Sequence, residues 1–219
     1  PGTFVAIKGR IEVPRFRQYP EFVVHHIELL QELRDKRAKM LKLRFTAKQL
    51  DQIVIEQLHD FRDNASIKAL VLRIDSPGGG VGPSQEIYDE VKSVDVIKPV
   101  VVSMGSVAAS GGYYIACLAD SIFAQPNTIT GSIGVFAMMA NTSDLFKEKL
   151  GLGYETIETG EYASFGRPDR GLNEKQRTFL QNTVDMIYDD FVGIVARGRG
   201  MKVSEIERIA EGQVYTGTK

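Results

Sequence analysis

Two glycine-rich turns carry the residues best suited to chemistry in this 219-residue chain. Asp75-Ser76-Pro77-Gly78-Gly79-Gly80 and Ala108-Ala109-Ser110-Gly111-Gly112-Tyr113 each follow a run rich in β-branched residues. Glycine lets a backbone turn sharply and bare its N–H groups. A serine hydroxyl beside such donors supplies two parts of an acyl-transfer site, a nucleophile and a cradle for the oxyanion. Ser110 is the candidate nucleophile, the N–H of Gly111 is one candidate oxyanion donor, and Gly79, or Gly78 beside it, is the source of the facing donor. A structural reading competes, in which the glycines permit close helix–sheet packing and Ser110 caps a helix. No Gly-x-Ser-x-Gly elbow surrounds Ser110.

The third part, a general base, is harder to place. His25 and His26 lie in a charged stretch and His59 lies beside Asp60 in a helical pattern, so none sits at a strand end where a Ser-His-Asp triad would need it. A lysine serves as base when burial or a neighbouring positive charge lowers its pKa, but Lys98 and Lys147 read as surface lysines. No metal site or cofactor is expected: the histidines form no His-x-x-x-His pair, one cysteine makes no zinc knuckle, and both nucleotide-loop patterns are absent. That cysteine, Cys117, sits among alanine, leucine and isoleucine and reads as a small buried hydrophobe.

Lys and Arg total 27 against 28 Asp and Glu, a balance that offers no field for nucleic acid. The length suffices for one core, so a single domain over residues 1–219 is expected. No run approaches the roughly 18 to 20 apolar residues that span a bilayer, and no secretory pattern opens the chain. Pro1 and the Lys219 end read as cuts in a longer protein, with any membrane anchor or partner domain outside a soluble piece.

The elements that must position the turns follow an α/β rhythm. Phe4–Ile7 reads as a strand, continued by residues 9–13. Residues 14–45 read as a charged excursion, helical or irregular, suited to an oligomer or membrane-proximal contact. Thr46 and Gln49 cap a helix with Leu50, Ile53, Val54, Leu58 and Phe61 on one face. Strands are predicted at 67–74, 99–104 and 121–124, and helices at 84–94, from Ser110, at 173–197 and at 202–210. Thr130-Gly131-Ser132-Ile133-Gly134 precedes a predicted short apolar strand, in which Phe136, Met138 and Met139 read, like Tyr113 and Tyr114, as core residues with at least one reaching a cleft. Strands that end repeatedly at glycines point to one site built from several loops.

Ile74 to Gly80, Val102 to Ala116 and Thr130 to Gly134, with the later Arg197-Gly198-Arg199-Gly200 and Gly212 to Gly217, resemble the signal peptide peptidase A family from about residue 46 to the end. The resemblance implies an α/β fold of the Clp-protease/crotonase type, a repeated β-β-α superhelical core with flanking helices. It implies Ser110 as nucleophile of a Ser-Lys dyad, Gly79 or Gly78 and Gly111 as oxyanion donors, and Ser132 as the residue orienting the lysine. It further implies a homo-oligomeric or tandem-domain bowl or ring, signal peptides and other short apolar segments as substrates, and membrane association of the full-length protein. The departure lies in Thr159-Gly160-Glu161-Tyr162-Ala163-Ser164, where Ala163 stands at the position of the family's lysine. A methyl group takes no proton. Three explanations are open: an inactivating substitution, a lysine contributed by another domain or subunit type, or a non-cleaving copy that acts as an oligomeric scaffold or peptide binder. A crotonase-type acyl-CoA enzyme also uses glycine-loop donors, but no basic phosphate patch flanks these loops.

Overall fold

The structure, a computed structural model, describes residues 3–10, 26–28, 40–41 and 47–219. Its centre is a mixed sheet of eight described strands. β4 (Ile67–Ser76) and β5 (Val100–Ala109) lie parallel, with β1 (Thr3–Arg10) parallel on the other side of β4. Leu70, Leu72 and Ile74 point inward at the period of two that a strand imposes, level with Val100, Val102 and Met104 across the ladder. The first half of β5 pairs with β6 (Ser121–Phe123), and its last residues pair with β7 (Ile129–Gly131). β8 (Val214–Thr216) runs antiparallel on β7.

The other edge carries β2 (His26–Glu28), antiparallel to β1, and β3 (Met40–Leu41), antiparallel to β2. These strands correct the expectation of a purely helical or irregular excursion over 14–45, since backbone pairing with β1 overrides the charged composition. The remainder of that excursion, with His25, lies outside the described residues.

α1 (Ala47–Asp63) packs on α2 (Val81–Asp95), and Val54, Leu58, Phe61, Ile87, Val91 and Val94 close the core over β4 and β5. α2 begins three residues earlier than predicted: Pro83 falls in the first turn, where an N–H has no intrahelical partner to lose. Lys98 also departs from expectation. It is buried, its Nζ donates to Phe61 O and Asn64 O at the end of α1, and burial pushes its pKa down. Cys117 is buried as expected, its thiol pushed up to about 12 by that burial.

The described residues form two compact units, one reaching to Gly134 and resuming at Phe191–Lys219, the other Val135–Asp190. In the first, α3 (Gly111–Ala116) follows β5, and α5 (Val203–Glu207) precedes β8. In the second, a π-helical turn at Leu145–Lys149 comes before α4 (Glu174–Arg199), which continues into the first unit. Asn173 and Gln176 form a reciprocal cap at the start of α4, with Gln176 N–H donating to Asn173 Oδ1 (2.8 Å) and Asn173 N–H to Gln176 Oε1 (3.2 Å). The predicted strand after Gly134 is not formed. The strand lies earlier, as β7, and ends at Gly131, and Phe136 and Met138, 86% and 81% exposed, are not core residues; Met139 is exposed as well.

Candidate active site

β4 and β5 run parallel, so their carboxyl ends place both glycine turns at one edge of the first unit. Ser110 sits between β5 and α3 with φ 51° and ψ −123°, a left-handed conformation that costs a non-glycine residue about 1–3 kcal/mol. Its surroundings hold it there. The Ser110 N–H donates to Gly131 O (2.9 Å), and its carbonyl accepts from Tyr114 N–H (2.8 Å).

The two turns interlock through missing side chains. Gly78 has φ +104°, and a Cβ there would stand 2.7 Å from both Ser110 Cβ and Gly111 N. A Cβ on Gly111 would meet Ser84 Oγ at 2.4 Å and Gly79 N at 3.2 Å, and one on Gly112 would meet Ser76 O at 2.7 Å. Ser76 Oγ accepts the Gly78 N–H (3.0 Å). Gly111 opens α3, where a backbone N–H needs no intrahelical partner. The structure thus brings Ser110, Gly78, Gly79 and Gly111 together at one corner.

Ser132 belongs to the same corner. It follows the Gly131 carbonyl that holds Ser110, has φ 52°, and donates its N–H to Gln213 O (2.7 Å). Gly131 fits beneath Tyr215, where a Cβ would lie 2.7 Å from the ring, and Gly212 N–H donates to Ile133 O (2.9 Å). Residues 212–217 therefore brace the loop of Ser132. The far end of α3 is braced by Arg199, whose Nη1 donates to Cys117 O (3.0 Å) and Ala119 O (2.7 Å). Gly198 lets the helices meet, since a Cβ there would come within 2.4 Å of Cys117 O. Tyr114, expected in the core, is buried with its ring against Tyr88 and Phe191; Tyr113 is partly buried on the core's flank.

Ala163 lies in the second unit, exposed, in a turn closed by its N–H to Gly160 O (3.1 Å). The two described lysines whose pKa is shifted are both engaged elsewhere. Lys175 pairs with Glu161, which raises its pKa and keeps it protonated. Lys98 is lowered by burial, but it precedes β5 while Ser110 follows it, ten strand residues or on the order of 30 Å of extended backbone away. His59 is engaged with Glu90 (2.8 Å) where α1 meets α2.

Sequence reasoning missed Ser76, Ser84 and the bracing by Arg199. Ser76-x-Gly78 carries a local signal, a hydroxyl able to bond the backbone two residues on. Arg199 had a motif but no legible partner, because its acceptors are backbone carbonyls 80 and 82 residues away.

Residues 92–219 match the family model of Peptidase family S49, and residues 23–141 match that of Clp protease. The second match, with the mixed sheet and flanking helices, bears out a Clp-protease-like α/β fold. Among similar proteins, "Serine protease SPPA, chloroplastic" of Arabidopsis thaliana is 39% identical over 165 residues, 75% of this chain and 24% of that protein. "Protease 4" of Haemophilus influenzae is 39% identical over 166 residues, 75% of this chain and 26% of its own length. A Synechocystis sp. protein that bears a protease name is 42% identical over 149 residues, 68% of this chain and 53% of that protein. The chain spans between a quarter and about half the length of these relatives.

Proposed function

Because the chain belongs to peptidase family S49, we propose that it is the nucleophile-bearing domain of a serine endopeptidase acting on signal peptides and other short apolar segments, with its general base supplied from another domain or subunit. The observation that carries this reading is Ser110 itself, a strained non-glycine residue seated against Gly78 and beside Gly79 and Gly111. Ser110 Oγ attacks the scissile carbonyl carbon and its proton passes to a lysine amine. The C–N bond then breaks as the leaving nitrogen takes a proton, and water hydrolyses the acyl-enzyme. The oxyanion lies between the N–H groups of Gly79 and Gly111, since the Gly78 N–H is occupied by Ser76 Oγ.

The base is not Ala163. In this reading Ser132 orients a lysine that enters from outside the chain. Two of the relatives are about four times as long as the stretch they share with this chain, and one is about twice as long. The longer ones have room for a second such domain. A bowl or ring of domains would bring nucleophile and lysine together, and membrane association would reside in a segment beyond this chain. Among the described residues no helix is long and apolar enough to cross a membrane. Ala163 also favours a second reading, a non-cleaving scaffold or peptide-binding module.

The test is reaction with a fluorophosphonate, read by intact mass, on this chain, on Ala163→Lys, and on Ala163→Lys with Ser110→Ala. One adduct that appears with Ala163→Lys and disappears with Ser110→Ala is the expected result. No adduct in any form favours the binding module, or a base that only an absent domain supplies.

A further inference from the structure

Directly before Ser110, β5 changes partner strands through a bulge. β4 and β5 pair in steady register from Leu70 opposite Val100 to Ile74 opposite Met104, but the next pair is Ser76 opposite Ala108. Two steps along β4 thus face four along β5, leaving two extra residues in the bulged strand. Backbone groups displaced from a ladder need other partners, and side chains provide them. Arg73 Nη1 donates to Met104 O (2.7 Å), Thr128 Oγ1 donates to Gly105 O (2.7 Å), and Val107 N–H donates to Asp75 Oδ1 (3.1 Å). Gly105 yields the space, for a Cβ there would stand 2.6 Å from Asp75 Cγ. From the end of the bulge onward, residues 107–109 pair with β7, which then holds the Ser110 N–H.

We propose that Asp75 is a positioning residue for the acylation of Ser110. Its carboxylate accepts the Val107 N–H in place of a strand carbonyl and so fixes the phase in which β5 delivers Ser110 to Gly78 and Gly79. The proposal rests on the nucleophile assignment above. What it requires of Asp75 is an acceptor of the right length, not a charge: a slip of one residue in this strand would turn Ser110 to the opposite face. Asparagine keeps that acceptor and alanine removes it.

The test uses the whole chain carrying Ala163→Lys, with fluorophosphonate kinetics and amide hydrogen exchange. Asp75→Ala is expected to lower the saturating rate of Ser110 phosphonylation by about 30-fold or more, with half-saturation moving less than about 3-fold. Asp75→Asn is expected to restore the rate to within about 3-fold. In exchange, Asp75→Ala should deprotect residues 105–110 while residues 100–104 keep their protection. Should Asp75→Ala fail to fold, Thr128→Val unhooks the same bulge at Gly105 O and should give the same pattern. Asp75→Ala that reacts and exchanges like its parent overturns the proposal, and so does Asp75→Asn as slow as Asp75→Ala, which would assign the role to charge. A parent that takes no adduct bears on Ser110 and its base alone, and the exchange arm then decides Asp75.

Discussion

The corner around Ser110 and the turn around Ala163 are built in opposite ways. At Ser110, every neighbouring turn is tied by backbone bonds or closed by a glycine with no room for a methyl group. At Ala163, the residue is exposed and nothing stands within 4 Å of a Cβ built on Gly160; Ser164 beside it is buried and Tyr162 and Phe165 pack against Phe179, while the charged contacts around it, such as Arg170–Glu158 (2.8 Å) and Lys175–Glu161, are ion pairs near the surface. Backbone donors for an oxyanion have to be assembled by the fold, whereas a general base is one side chain on a permissive turn. The exposed side chain at 163 can change with little structural consequence, but the corner around Ser110 cannot be altered without rebuilding it.

The largest effect is expected from Gly78→Ala. The new methyl group meets backbone and Ser110 Cβ at 2.7 Å, in a conformation that alanine resists. Strain and overpacking together should cost about 3 kcal/mol. A drop in the urea midpoint and loss of fluorophosphonate reaction in the Ala163→Lys background would show it. The matched change Gly160→Ala in the second unit should move stability by less than about 0.5 kcal/mol. Equal effects at the two glycines would remove the contrast.

Arg199→Ala comes next. It removes two charge-assisted donors from the end of α3 and leaves Cys117 O and Ala119 O without them, which should cost about 2 kcal/mol. Because α3 directly follows Ser110, the loss should also slow labelling, an effect that the exposed Lys175→Ala should not reproduce.

Much of the first unit was legible in the sequence. The strand 67–74, the helix after Thr46 and the turn at Ser110 each stood out because hydrophobic period and glycine punctuation are local signals. Ser110 and Gly111 lay within them, and Gly78 and Gly79 in the turn directly after the strand. β5 was expected to stop at Met104 because Gly105 breaks the β-branched run, whereas a bulge carries the strand through to Ala109. Lys98 was misread because its burial depends on carbonyls 34 and 37 residues away. Phe136 and Met138 were misread for the converse reason. An apolar pattern shows which residues gain from burial, but not whether anything within the chain covers them.

Ala163→Lys sharpens the comparison by what it leaves unchanged. Position 163 is exposed, so the lysine should shift stability by no more than about 0.5 kcal/mol while its effect on fluorophosphonate reaction is large. A thermal midpoint that falls by several degrees would mean that this turn is as tightly determined as Ser110's.

The smallest effect is one of pH. Arg167 donates to both oxygens of Asp169, at 2.8 Å each, and this holds the carboxyl below the usual carboxylate range. A carboxylate whose pKa is lower in the folded protein contributes stability above its unfolded value, about 3.9, and loses that contribution as the pH falls through the folded value. The clasp on the second unit should therefore loosen between about pH 4 and the lower folded value. Residues 108–116 are tied instead by backbone bonds that do not titrate, among them Ser110 N–H to Gly131 O and Tyr114 N–H to Ser110 O. Amide exchange followed down this range should rise first around residues 160–170 and later, if at all, around Ser110. Simultaneous deprotection of the two regions would mean that the turn of Ala163 and the corner of Ser110 share one cooperative unit.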